Sequence, residues 1–354
     1  MRKSGLLKIT ILLFSLVAMI FPKEEIKNNL APSYDVKIDL TENKSIFIEE
    51  ELNFPLAQPI GLDIDEEGNL FLIDYIKSRL IKITKGGEVS VISKEGKGPG
   101  DLLNPRIVRI KNKEVYVFLS DNRCEIFTLD LKFRREIKIP FFLSSIVVLK
   151  KNVYILDAPF PHKGIMKIKL EDLNSNKSLD IIEFPIPNIG KSKYEAFDYF
   201  YNVLPLRGGF IIGASKLGYR FWVYDAQAKL KYKFSKKYRP IRLSSDYKRN
   251  FLEELKRKPQ IFEFLKGKLY FPEYFSPYEY FFACDDGKVF VETWERKSGK
   301  SRVDIFYKGI FSGSVFLPHF SIGACRRNNV AILYKENDEW KLNYYKISLH
   351  FKNF

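Results

Sequence analysis

A hairpin pattern that recurs six times, a strand-favouring composition and a spare strand ahead of the first repeat predict an all-β fold, a six-bladed β-propeller of four-stranded blades. The composition comes from 354 residues, of which 45% are hydrophobic and 15% aromatic, with 31 Phe and 20 Tyr. Phe, Tyr, Ile and Val fit the pleated, half-buried surface of a strand. So apolar a chain also has enough material for a folded core and is not disordered by composition.

The repeat is a turn residue, an apolar run, a polar turn and an alternating run. It reads "GNLFLID" with "RLIKIT" from Gly68, and "KEVYVFLSD" with "RCEIFTL" from Lys113. It returns as "NVYILD" with "GIMKIKL" from Asn152, and as "GGFIIGAS" with "YRFWVYD" from Gly208. The last two copies are "GKVFVETW" with "RVDIFY" from Gly287, and "NNVAILYK" with "WKLNYYKI" from Asn328. With Leu70, Val115, Val153, Phe210, Val289 and Val330 as equivalent positions, the spacings are 45, 38, 57, 79 and 41 residues. Most lie near the roughly 40–50 residues of a four-stranded blade. An apolar inner strand precedes each hairpin and an outer strand follows five of them. The sixth copy lacks its outer strand, and "SIFIEEELNF" from Ser45 supplies one from the other end of the chain. Pairing the first strand with the last blade closes the ring and removes an open edge. A β-sandwich would need only about seven to nine strands, far fewer than the repeat provides.

Two stretches interrupt the repeat. Residues 191–200, "KSKYEAFDYF", lie between the third and fourth copies. The longer interruption, "SSDYKRNFLEELKRKP", explains the spacing of 79. Tyr247, Phe251, Leu252 and Leu255 share one helical face, Ser245 can cap it, and Pro259 ends it. A helical insertion over about residues 244–258, between blades 4 and 5, follows.

At the N-terminus, Arg2, Lys3 and Lys8 flank an apolar run from Ile9 to Phe21. The run is short against the roughly 20 residues of a membrane span, and it suits an export signal. Residues 1–22 are therefore expected as a signal sequence, with an uncleaved N-terminal membrane anchor as the alternative. Residues 23–44 are expected as a linker, and residues 45–354 as the propeller. The expected location is outside the cytoplasm, in the periplasm or cell envelope. The formal charge of +16 attracts anionic partners through its long-range field. Export excludes nucleic acid as a partner and favours a protein or an anionic envelope polymer, with the chain itself monomeric. Scattered Lys and Arg alternating with apolar residues also describe ordinary solvated strand faces.

Cys124, Cys284 and Cys325 all lie in or beside apolar runs. The odd count leaves at least one thiol unpaired. Buried free thiols are the simpler reading, and a Cys284–Cys325 bridge is the alternative. With no spaced Cys/His set there is no zinc motif.

"DEEGNLFLIDYIKSRLIKITKGGEV" resembles an NHL-type propeller repeat, with Asp74 and Arg79 at that repeat's Asp and Arg. "GKGPGDLLNP", from Gly96 to Pro105, is similar to the glycine-rich stretch of exported bacterial six-bladed propellers of the TolB-like kind. The resemblance implies the fold and no particular activity.

Candidate site residues are few. Asp74 and Arg79 flank the first hairpin turn, and Asp121 and Arg123 the second. Such pairs brace turns through charge-assisted hydrogen bonds or contact a ligand. Lys97 sits among the glycines of "GKGPGD", which lacks the spacing of a phosphate-binding loop and reads as a turn. His162 and His319 fall in connections that open on one face of a propeller, where they can serve as base and partner or share a metal. No cofactor or metal is expected. A Ca²⁺ site made of carboxylates and carbonyls from different blades would leave no sequence signature. The function expected is a binding or scaffold module. The alternative is a propeller hydrolase or lyase, lactonase-like or metal-dependent, with its site in the central funnel.

Overall fold

The computed structural model describes residues 25–138, 145–149, 152–157, 165–172, 177–185, 194–196 and 201–351. The chain starts with strands β1 (Glu25–Asn28) and β2 (Val36–Phe47) and a short helix α1 (Ile48–Leu52). The first meander is β3 (Pro59–Ile64), β4 (Leu70–Asp74), β5 (Arg79–Ile83) and β6 (Val89–Ile92). The second is β7 (Pro105–Lys111), β8 (Glu114–Leu119), β9 (Arg123–Thr128) and β10 (Phe133–Lys138). The third is β11 (Ser145–Leu149), β12 (Asn152–Asp157), β13 (Ile165–Asp172) and β14 (Lys177–Pro185), followed by the two-residue β15 (Tyr194–Glu195). Then come β16 (Tyr201–Leu206), β17 (Gly209–Ala214), β18 (Arg220–Asp225) and β19 (Leu230–Lys236). Helices α2 (Ser245–Lys256) and α3 (Pro259–Leu265) and the short β20 (Leu269–Tyr270) interrupt the series. It resumes with β21 (Tyr280–Ala283), β22 (Lys288–Lys297), β23 (Lys300–Tyr307) and β24 (Ile310–Pro318). The last strands are β25 (Ile322–Arg326), β26 (Asn329–Glu336) and β27 (Glu339–Phe351).

Each meander is an antiparallel sheet, and the whole is an all-β propeller. The innermost strands stand side by side in chain order, β3 by β7, β11, β16 and β21 to β25, and β25 returns to β3. Burial follows this radial order. Every residue of β4 and β8 is buried, whereas β10, "FRREIK", is exposed or half-buried. Strands packed on both faces read as continuous apolar runs, and outer strands do not.

The expectation of six uniform four-stranded blades is corrected. Five sheets have four strands each, and the sheet β16–β19 has five. Its extra strand is β1, which runs parallel to β19 from Glu25↔Lys233 to Asn28↔Lys236. The buried Asn28 side chain fixes it, donating to the Ser235 and Gly309 carbonyls and accepting from the Phe311 amide. The stretch 23–44, expected as a linker, thus carries β1 and most of β2.

Strand β2 pairs antiparallel with β27 from Val36↔Phe351 to Phe47↔Lys341. It completes the sheet β25–β27 from the N-terminal side. It begins at Val36 rather than Ser45 and stops at Phe47, because "IEEEL" forms α1 instead of continuing the strand. Glu and Leu are good helix formers. The N-terminal segment 1–22, and with it the export signal or anchor, lies outside the described residues.

The insertion is two helices, not one. The hydroxyl of Ser244, not Ser245, accepts from the Tyr247 amide as the N-cap of α2. Pro259 opens α3 at its first turn, where a missing N–H costs nothing. The two departures from the repeat meet: β15 pairs with β20, and the Tyr270 hydroxyl donates to Glu195 at 2.5 Å.

The core lies between sheets rather than at one centre. Phe221, Phe234, Phe281, Phe290, Phe306 and Phe311 are all at most 1% exposed, and each contributes about 1.5–3 kcal/mol by leaving water. Gly213 makes room for them, since a Cβ there would stand 2.6 Å from the Phe281 ring. Cys284 and Cys325, read more simply as free thiols, form a disulfide between the ends of β21 and β25. Cys124 is free and buried.

Candidate functional site

The innermost strands enclose a channel of about 540 Å³. Four cations line it, Arg106, Arg109, Lys111 and Arg326, against the carboxylates of Asp63 and Asp285. Their positions follow from strand alternation. In "PRIVRIK", residues 106, 109 and 111 stand along β7 with a register shift after Pro105. Arg326 spans the channel wall, donating to the Ile64 carbonyl at 3.0 Å and the Ile110 carbonyl at 3.2 Å. Asp63 accepts from the Ile64 and Ile110 amides at 2.8 and 2.7 Å, and lies 4.0 Å from Arg326. One end widens into a 660 Å³ mouth at the inner hairpin turns, where acids and bases are mixed.

A second site stands at the outgoing end of the sheet β21–β24. Glu279 immediately precedes β21, Glu292 lies in β22 opposite Tyr280, and His319 follows β24. Antiparallel pairing brings the two acids together, and the segment leaving β24 carries His319 over them. The His319 Nδ1 is 2.8 Å from Glu292 Oε1, and its Nε2 is 3.7 Å from Glu279 Oε1. Arg296 donates to Glu279 at 2.5 Å and lies 3.3 Å from His319 Nδ1, as does the Ser301 hydroxyl. Glu292 is fully buried, and its Oε2 has no hydrogen-bond partner among the described residues. Burial pushes the Glu279 carboxyl above its ordinary range, while His319 and Arg296 pull it back. The Glu292 hydrogen bond, against burial, raises the His319 imidazole.

The insertion walls this site. Tyr247 of α2 packs on Phe275, and Phe275 stacks on Trp294 with ring centres 4.2 Å apart. Trp294 is two residues beyond Glu292, in the stretch where β22 shifts register against β23. Tyr280, opposite Glu292, also lines the channel, so the cluster adjoins it.

The residues singled out from sequence have other surroundings. The fully buried Asp74 accepts from the Ala57 and Gln58 amides at 3.0 and 2.9 Å. Its cross-strand neighbour Arg79 lies over the Phe54 ring at 4.4 Å. Both therefore hold the segment that leads from α1 into β3. Arg123 bonds Asp121 at 2.8 Å, Glu125 at 2.7 Å and the carbonyls of Gly96 and Gly98. The Gly100 amide donates back to Glu125, so the glycine-rich turn is tied to the second sheet. Lys97 at its tip is exposed. His162 lies outside the described residues. Of the two histidines, His319 is placed in a cluster, with Glu279 and Glu292 as its companions. Those acids lie 13 residues apart, in no motif. The available signal was an acid inside the apolar run "VFVETW".

No protein-family model and no curated protein sequence matches the chain. Among solved structures it is similar to a member of the DUF4221 family from Bacteroides vulgatus, with a TM-score of 0.54 and 13% identity over 89% of this chain and 99% of that one. It is more loosely similar to virginiamycin B lyase from Staphylococcus aureus, with a TM-score of 0.41 and 9% identity over 88% of this chain and 99% of that one. The first likeness agrees with the propeller fold.

Proposed function

We propose that this chain is an exported binding propeller whose channel receives an anionic ligand, either an acidic segment of a protein or an anionic envelope polymer. The observation that carries the reading is the channel lining of four cations against two carboxylates. Low-dielectric walls focus such a field, and the overall charge of +16 attracts the same class of ligand. The Cys284–Cys325 bridge supports an oxidising compartment outside the cytoplasm. Blade counting belongs to the same proposal. The sheet enlarged by β1 is taken as one blade of six, with the NHL-like hairpins as the first two.

Calorimetric titration with acidic oligosaccharides and acidic peptides, at low and high salt, tests it. Lys111→Ala should weaken binding about tenfold, the equivalent of about 1.4 kcal/mol, and Lys97→Ala should not. Binding that ignores both salt and Lys111 would remove the channel from the account.

The Glu279–Glu292–His319 cluster favours a second reading, a hydrolase or lyase with His319 as general base. Turnover of lactone or ester substrates that disappears in His319→Ala would establish it.

A further inference from the structure

The channel reading gives Glu279, Glu292 and His319 no task, and one of their atoms is anomalous. Glu292 Oε2 is buried without a donor among the described residues. A buried polar atom left bare has lost its hydration with nothing in return, and the cost is greater when it is charged. A cation beside it would remove that cost. We propose that Glu279, Glu292 and His319 form a binding site for one divalent transition cation of the zinc class.

The geometry fits. One ligand atom from each residue lies within 4.8 Å of the other two. Ligands about 2.0–2.1 Å from a tetrahedral ion stand about 3.3 Å apart. Glu292 Oε1 lies 2.8 Å from His319 Nδ1 and Glu279 Oε1 lies 3.7 Å from His319 Nε2, so whichever ring nitrogen takes the ion has a carboxylate oxygen close to that spacing. Two carboxylates and a neutral imidazole balance the dipositive charge. The imidazole selects zinc-like ions over Ca²⁺ and Mg²⁺, which prefer all-oxygen sites. Arg296 stands against the site, 3.3 Å from His319 Nδ1. It holds one Glu279 oxygen and also donates to the Thr293 carbonyl, and it leaves Glu292 Oε2 untouched. That is the position of an outer partner that orients a ligand.

Access is one-sided. Glu292 is sealed, whereas the His319 side chain is 51% exposed. Three protein ligands leave a coordination position, and it faces solvent on the His319 side. Water or a substrate oxygen would take it, as in sites that keep one position open.

The test uses the full chain, free of purification tags and dialysed against chelator. It is titrated with zinc chloride, with calorimetry and thermal melting as readouts. Cobalt(II) absorption serves as an independent signature. One zinc per chain should bind and raise the melting temperature by mass action. Glu292→Gln, which keeps the shape of the side chain, and His319→Ala, at an accessible position, should each weaken binding at least about tenfold. Both should fold as the parent does in chelator. His350→Ala, at a histidine outside the cluster that pairs with Asp39, should bind as the parent does. Absence of zinc binding by the parent, tighter binding of calcium than of zinc, or equal binding by all the variants would overturn the proposal. The outcome is independent of the channel, since Lys111→Ala leaves these ligands in place.

Discussion

Two buried carboxylates in one sheet have opposite surroundings. Asp304 on β23 and Glu292 on β22 are 1% and 0% exposed. Asp304 pairs in register with Val291, so it and Glu292 point to opposite faces. On one face both oxygens of Asp304 are saturated. Oδ1 accepts from Arg302 and Ser314 at 3.1 and 2.6 Å, and Oδ2 accepts from Tyr219 and Lys236 at 2.7 and 3.0 Å. Lys236 and Tyr219 come from the preceding sheet, so the network joins two sheets. Burial lowers the Lys236 ammonium pKa, and Asp304 opposes that shift. On the other face Glu292 has one partner and one bare oxygen. The difference separates a charge used by the fold from a charge held in reserve. Evidence of use by the fold is saturation from inside the chain.

The sharpest way to break this contrast is to remove the saturated member. Asp304→Ala would leave Lys236 buried and unpaired, and should destabilise by about 3–5 kcal/mol in denaturant melts. A loss below about 1 kcal/mol would put the network on a par with exposed ion pairs and erase the contrast.

Asp74 is a saturated case of a simpler kind, its two oxygens each held by a backbone amide. Asp74→Ala should cost about 1–3 kcal/mol and leave acidic-ligand binding unchanged. Loss of binding at full stability would move Asp74 from bracing to recognition.

Glu125 lies between the extremes. Burial pushes its carboxyl up to about 7, against the pull of the Gly100 amide and Arg123. An acid whose folded value is raised favours the protonated fold, so its contribution is complete below the unfolded value near 4.5 and is lost as pH rises through 7. Stability measured between those limits should fall with pH, and Glu125→Gln should flatten the slope. An unchanged slope in that variant would show that Arg123 keeps Glu125 ionised throughout.

The smallest effect belongs to Glu292. With metal chelated, Glu292→Gln should change stability by less than about 1 kcal/mol, since it removes a single hydrogen bond and a bare buried charge together. A loss as large as that of Asp304→Ala would make Glu292 a fold residue after all.

The blades were legible because each is local. Turn residues at Gly68 or Gly287 and the apolar runs beside them specify hairpins without reference to the rest of the chain. Strand β1 was not legible. "EIKN" has no hydrophobic signature, and its place depends on Asn28 reaching Gly309 and Phe311, more than 280 residues away. The start of β2 was missed for a related reason. "VKIDLT" does alternate, and its Ile38 and Leu40 pack against the core, but the polar "ENK" separates it from the apolar run that begins at Ser45. The candidate site was half legible. His319 stood out by rarity, but Glu279 and Glu292 become neighbours only through the register Tyr280↔Glu292. The Cys284–Cys325 pairing likewise depends on adjacent sheets, which the spacing of the cysteines alone does not encode.

The union of β2 with β27 has a temporal consequence. Ser45 and Asn343, hydrogen-bonded at 2.8 Å across it, are separated by 298 residues. A ribosome adding roughly 5–20 residues per second takes about 15–60 s to travel that distance. Throughout that interval β2 has no permanent partner. The hairpins between, being local, can assemble as they emerge. The ring therefore resembles a clasped bracelet, its links formed early and its clasp fastened last. Until then β2 is a sticky edge that must be kept from foreign strands, and the final step in maturation is the meeting of the oldest and youngest parts of the sheet.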